Sequence, residues 1–160
     1  MPTPQFILDL RARIGTDLLF LNGVNCVVLD SSDRPRTVLL GQRADTGVWR
    51  IPGGILEPGE QPAQGMVREI EEETGVTAGI DRLVSVVTTP PTTYPNGDQV
   101  QFLSCTFRAH HISGEAHVAD DESLAVGWYD LDQLPDDLPQ RDRDLISAAL
   151  PAAGTPIFIR

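Results

Sequence analysis

Apolar positions recur along the chain with two different periods, and each change of period marks an element. Phe6, Leu8, Leu10 and Ile14 lie in a short segment, 4–14, that reads as an N-terminal helix ended near Gly15. Leu18 to Leu29 is apolar and β-branched, interrupted by Asn22-Gly23, and reads as one or two strands. Thr37 to Leu40 reads as another strand leading into Gln42-Arg43, and Trp49-Arg50-Ile51 as a short one stopped by Pro52-Gly53-Gly54. The period then becomes helical. Pro62 suits a first turn, Ala63, Val67, Ile70 and Thr74 share one face, and Gly75 is placed to end the helix. Asp81–Thr89 and Gln99–His110 alternate as strands, joined through Pro90, Pro91 and the turn Tyr94-Pro95-Asn96-Gly97-Asp98. Ser113-Gly114 reads as a hairpin turn, Val126–Tyr129 as a short strand, and 139–150 as a last amphipathic helix stopped by Pro151. Strands with interspersed helices predict an α/β fold, a mixed sheet covered by helices.

A length of 160 residues suits one domain, 1–160. The net charge of −11 excludes the basic stripe of a nucleic-acid binder, so no long nucleic acid is expected as partner. Charge alone says little more than solubility, but an acidic protein that handles phosphates needs local positive charge, and carboxylate-held metal is one source. Cys26 and Cys105 stand alone in apolar runs and read as buried thiols. The start carries no signal-peptide pattern and no stretch approaches the roughly 20 apolar residues of a membrane span, so a soluble, cytoplasmic protein is expected.

Candidate chemistry is concentrated in residues 54–76, GILEPGEQPAQGMVREIEEETGV. On a helix, Glu69, Glu72 and Glu73 stand at i, i+3 and i+4, which puts their carboxylates on one face, while Glu71 points the opposite way. Like charges so close repel unless a cation sits among them, and hard oxygen ligands suit Mg²⁺. Gly53-Gly54 allows close backbone approach, so a main-chain carbonyl is a further candidate ligand. Arg68 is expected to pair with Glu60 and pin the loop to the helix, a structural task rather than a catalytic one.

This segment matches the Nudix box at all of its fixed positions, and the chain is identified on it as a member of the Nudix hydrolase family. Leu39-Leu40, Arg43, Trp49-x-x-Pro52-Gly53-Gly54, and Asp121-Glu122 followed by Trp128-Tyr129 resemble the family's flanking segments. The resemblance implies an α/β/α sandwich with a loop-helix-loop catalytic motif, in which Gly54, Glu60, Arg68 and Gly75 are structural. It implies that Glu69, Glu72 and Glu73, often with the Gly53 carbonyl, bind Mg²⁺ or Mn²⁺. Catalytic residues would be Glu69, Glu73 and a later loop acid, matched by Glu122 with Asp120 and Asp121 as neighbours; Glu69 or that later acid would orient or deprotonate the attacking water. The reaction implied is hydrolysis of a diphosphate linkage in a small nucleotide, and a homodimer is common in the family.

Substrate identity lies outside the box. Pro91, fifteen residues past Val76, resembles a mark of ADP-ribose-cleaving relatives, and Tyr94, eighteen past, a mark of diadenosine-polyphosphate relatives. ADP-ribose or a nucleotide sugar is favoured, with a nucleoside triphosphate or diadenosine polyphosphate as the alternative. Arg43 either touches substrate phosphate or sits on a strand edge, and Tyr94 is placed to stack on a base or sugar. Trp49 reads as packing, and His110, His111 and His117 as surface residues. A non-catalytic nucleotide sensor is disfavoured by the intact glutamates, and a calcium-binding protein by the absence of an Asp-rich loop.

Overall fold

A computed structural model describes residues 3–158. Met1, Pro2, Ile159 and Arg160 lie outside the described residues, and with them the ends of the 1–160 domain expectation. The elements run α1 (Gln5–Ile14), β1 (Leu19–Leu29), β2 (Thr37–Arg43), β3 (Trp49–Arg50), β4 (Gly53–Ile55), α2 (Pro62–Thr74), β5 (Thr77–Thr88), β6 (Thr92–Thr93), β7 (Gln99–Ser113), β8 (Ser123–Asp130), α3 (Gln140–Ala149) and β9 (Ile157–Phe158).

The sheet is mixed. β1 and β7 run parallel in continuous register from Leu19↔Val100 to Leu29↔His110, and β5 lies antiparallel on the far side of β7. On its other edge β1 pairs with β4 from Gly23 to Asn25, and with β2 only at Leu29↔Val38. β2 is turned instead towards β3 and β8. Two strand groups therefore part beside β4, and the resulting opening is where a ligand can enter.

Alternation along β1 divides the core. Val24, Cys26 and Val28 pack with Met66 and Ile70 of α2, whereas Val27 and Leu29 pack with Leu145 and Ile146 of α3. Helices thus cover both faces, an α/β/α sandwich as expected. A third small cluster holds α1, with Ile7 against Leu19, Leu21 and Val100. Arg11 fastens this helix by donating to the carbonyls of Gly15, Asp17 and Gln99, with Asp98 3.5 Å away. No helix among the described residues is long and apolar enough to cross a membrane.

Of the two readings of 18–29, the structure has one strand: β1 is not broken at Asn22-Gly23, because β7 pairs with it throughout and Phe102 covers Gly23, 3.3 Å from where a Cβ would stand. Three other local expectations change. Ser113-Gly114 is not a hairpin, since β8 pairs with β2 rather than with β7; Gly114, at φ 90°, packs against the Gly75 carbonyl. β5 begins at Thr77 rather than Asp81. On α2 the most buried stripe is Met66, Ile70 and Thr74, and Val67 is turned towards an outer groove shared with Gln64 and Glu71. Gly75 does end the helix, at φ 68°, donating its N–H to the Glu71 carbonyl.

Behind α3 lies a buried cation. Arg108, 1% exposed, donates to the carbonyls of Ala149 and Ser32 and pairs with Asp81, which also meets His110 at 2.7 Å. It joins the end of α3 to β7 and to the loop after β1. Removing one member of a buried pair leaves charge and carbonyls unsatisfied, a loss of about 3–5 kcal/mol. Arg108→Met is expected to lower unfolding free energy by about that amount, read by urea denaturation. A loss under about 1 kcal/mol would show that these contacts are compensated by water.

Candidate active site

The opening beside β4 leads into a cavity of about 410 Å³ lined by Gly23, Val24 and Asn25 of β1, Gly53, Gly54 and Ile55 of β4, and Glu69 and Glu73 of α2. Its rim is formed by the exposed residues Thr3, Tyr94, Arg43 and Glu122, with Pro4 just before α1.

The two glycines do different things. A Cβ on Gly54 would overlap the carboxylate of Glu69, so only glycine lets that carboxylate lie against the strand. A Cβ on Gly53 would stand 2.7 Å from both Asn25 Oδ1 and the Val24 carbonyl. The Gly53 N–H donates to Glu73 at 3.3 Å, tying strand to helix. Glu69 is almost fully buried, with 4% of its side chain exposed. Burial pushes its pKa up, and Arg68 opposes the shift. Burial and the nearby Glu69 charge push Glu73 further, up to about 8, with Asp120 and Glu122 adding to the repulsion. Two desolvated carboxyls facing one cavity form a site short of positive charge.

Arg68 does pair with Glu60, at 2.7 and 2.8 Å in a bidentate contact that holds the Glu60 carboxyl down to about 2. It does more than expected. Its Nη1 also donates to Glu69 and Glu72, each at 3.0 Å. A basic side chain therefore stands among the three glutamates, beyond the structural pairing with Glu60 that the sequence predicts. The Arg side chain at i−4 from Glu72 lies along the same helix face and reaches both carboxylates. Glu72, 45% exposed at its side chain, faces the outer groove with Glu71, Gln64 and Asp120 rather than the cavity. The structure thus brings Glu69, Glu73 and Glu122 to one cavity and leaves Glu72 at its outer side.

Arg43 lines the cavity but holds Asp45 bidentately at 2.8 and 2.7 Å, so much of its charge is already committed. Tyr94 is 43% exposed on the rim, within the turn closed by its N–H to the Asp98 carbonyl. Trp49 packs edge-on against Tyr129 at 4.7 Å, away from the cavity wall. None of the histidines lines the cavity: His110 meets Asp81, His111 the Gly114 carbonyl, and His117 the Glu115 carbonyl.

Three lining residues escaped sequence reasoning. Asn25 donates to Ser104 Oγ at 2.8 Å, and Arg141 of α3 reaches the same oxygen at 3.3 Å. Asn25 and Ser104 carried a signal, as polar interruptions of apolar strands. Arg141 carried none, because one charged residue in the first turn of an amphipathic helix is ordinary.

Whether a divalent cation fits can be judged from the donors. Among the described residues no three His, Cys, Asp or Glu side chains cluster tightly enough to cage a metal. Mg²⁺ does not need such a cage; it commonly takes one or two carboxylates and completes its shell with water and substrate phosphate. Glu69 and Glu73 are hard oxygen donors beside exposed backbone, only Glu69 of the two meets Arg68, and they fit that description.

Comparison with known proteins agrees with this geometry. The model of the NUDIX domain matches residues 19–149. A MutT-like protein of Streptomyces ambofaciens is 34% identical over 71% of this chain and 68% of its own length. A putative 8-oxo-dGTP diphosphatase of Bacillus subtilis is 30% identical over 73% of this chain and 71% of its own. The crystal structure of a MutT NUDIX hydrolase from Burkholderia pseudomallei superimposes with a TM-score of 0.61 at 27% identity, over 81% of this chain and 98% of that one.

Proposed function

The chain belongs to the Nudix family of hydrolases, and on that premise we propose that it cleaves the diphosphate of a small nucleotide sugar of the ADP-ribose type. The observation that carries the reading is the pair of buried Glu69 and half-buried Glu73, set against the Gly53-Gly54 backbone on the wall of a cavity large enough for such a ligand. Glu69, Glu73 and the Gly53 carbonyl would hold Mg²⁺ or Mn²⁺; Glu72 would join only by giving up Arg68. When bound, the cation neutralises charge on phosphate oxygens and lowers the pKa of a water ligand. Glu122, on the wall of the same cavity, is the carboxylate that takes the water proton, with Glu69 as the alternative. Tyr94 offers an aromatic face to the base or sugar, and Arg43 borders the phosphates once Asp45 yields. The chain acts as one domain.

The charge of the protein favours the ligand with fewer phosphates, since each added one meets a surface at −11. A nucleoside triphosphate is the second reading, favoured by the printed name of the Bacillus subtilis relative. The test is kcat/KM for ADP-ribose, other nucleotide sugars, diadenosine polyphosphates and each triphosphate, under Mg²⁺, Mn²⁺ and EDTA. A nucleotide sugar is expected to lead by tenfold or more, about 1.4 kcal/mol in the transition state, with activity lost on chelation. A tenfold lead for a triphosphate would replace the substrate, and undiminished turnover in EDTA would remove the cation from the reaction.

A further inference from the structure

The cavity has two cations on its walls, Arg43 and Arg141, and their circumstances differ. Arg43 is held bidentately by Asp45. Arg141 has no ion pair among the described residues. The carboxylate next to it in sequence, Asp142, is 1% exposed and committed elsewhere, taking Arg50 at 2.7 and 3.3 Å and the Ile51 N–H at 3.3 Å. Those contacts lock the first turn of α3 against β3, so the backbone that carries Arg141 is fixed.

The side chain is aimed as well as anchored. Arg141 Nη2 donates to Ser104 Oγ at 3.3 Å, an oxygen on a residue 2% exposed to which Asn25 Nδ2 also donates, at 2.8 Å. Asn25 in turn abuts Gly53, whose N–H bonds Glu73. The guanidinium therefore stands on the wall a few side-chain contacts from the glutamate pair, in line with Asn25 and Ser104, rather than out at the Tyr94 rim. Its remaining N–H groups have no acceptor in the protein among the described residues. Burial pushes its pKa down; Asp142 opposes this and the neighbouring Arg50 adds to it. A partly desolvated cation held beside a diphosphate site by one buried hydroxyl is matched by an anionic ligand.

We propose that Arg141 is a substrate-binding residue, its guanidinium taking a phosphate oxygen of the substrate while Ser104 and Asn25 set its direction. The proposal rests on the hydrolase reading above and adds to it the group that recognises the phosphate without a metal. Arginine suits the task because its planar fork donates in pairs to phosphate, which lysine does not.

The test separates phosphate from base or sugar recognition. AMP and adenosine are compared as inhibitors of the wild type, Arg141→Gln and Arg141→Lys, and inorganic pyrophosphate is titrated calorimetrically into the same proteins with and without Mg²⁺. Arg141→Gln is expected to weaken AMP and pyrophosphate by tenfold or more and to leave adenosine within twofold. KM for the diphosphate substrate should rise more than kcat falls, and Arg141→Lys should recover part of the loss. Thermal melting should match the wild type, since the side chain is exposed and makes one internal hydrogen bond. Equal weakening of AMP and adenosine would assign Arg141 to the nucleoside instead, and unchanged pyrophosphate binding would overturn the proposal. A wild type that cleaves no diphosphate would defeat the hydrolase reading. The pyrophosphate titration still decides Arg141 in that case, and absence of wild-type binding counts against it.

Discussion

Glu73→Gln is expected to lower kcat by about 10²–10³-fold, the size of effect seen when one electrostatic contact to a transition state is removed. Glu73 is a half-buried carboxyl facing the cavity, and its position is held by the Gly53 N–H, which glutamine can still meet. The variant keeps shape and loses charge. Glu71→Gln is the control, because Glu71 is exposed on the outer groove and touches nothing in the cavity. Its activity should stay within about twofold of the wild type. Equal losses in the two variants would mean that general acidity of α2, not this face, supports the reaction.

A second readout of the same variant comes from pH. Without a cation, burial and the Glu69 charge raise the Glu73 pKa from 4.5 to about 8. The folded state then holds this proton more tightly than the unfolded one does. Its contribution to stability is full below about 4.5 and is lost as pH rises through about 8. In EDTA, wild-type Tm should therefore fall across that window more steeply than the Tm of Glu73→Gln, which has no proton to lose. Parallel curves for the two proteins would show that Glu73 is already ionised at neutral pH.

Gly54→Ala should cost activity as heavily while costing little stability. The added methyl would occupy the space of the Glu69 carboxylate, the tip of a side chain that can swing aside, rather than backbone. The fold can therefore accommodate it. The carboxylate cannot stay beside β4, and a displacement of about 1 Å at a reacting site is enough for a roughly 10²-fold loss. kcat should fall by at least that factor, with melting within a few degrees of the wild type. Gly59→Ala, in open space although strained at φ 95°, gives the comparison for backbone effects alone. Full activity in Gly54→Ala would show that Glu69 does not need its place against the strand.

The box was legible in the sequence because its requirements are local. Helical spacing alone sets Glu69 and Glu73 one turn apart, a left-handed cap requires Gly75, and the Glu60–Arg68 contact spans only eight residues. The strands and helices were legible for the same reason, through periods of two and 3.6, although their ends and the Ser113-Gly114 turn were not.

What a strand pairs with is a long-range matter, and so is the cavity. The separation of β2 from β1 beside β4 brings Arg43 and Glu122 to the same cavity as Glu73. Charge is shared at both ranges. Arg68 meets Glu72 within α2 and Asp45 holds Arg43 two residues away, whereas Asp142 takes Arg50 from 92 residues away and leaves Arg141 without a carboxylate among the described residues. Asn25, Ser104 and Arg141 lie 79 and 37 residues apart along the chain, in elements whose patterns show only which face is buried. The sequence by itself determined the carboxylates and the glycines that admit them, since those constraints act within one or two turns of chain. Tertiary structure decided which of the charges face the cavity and how far each is desolvated, because burial and long-range distances are set only by packing.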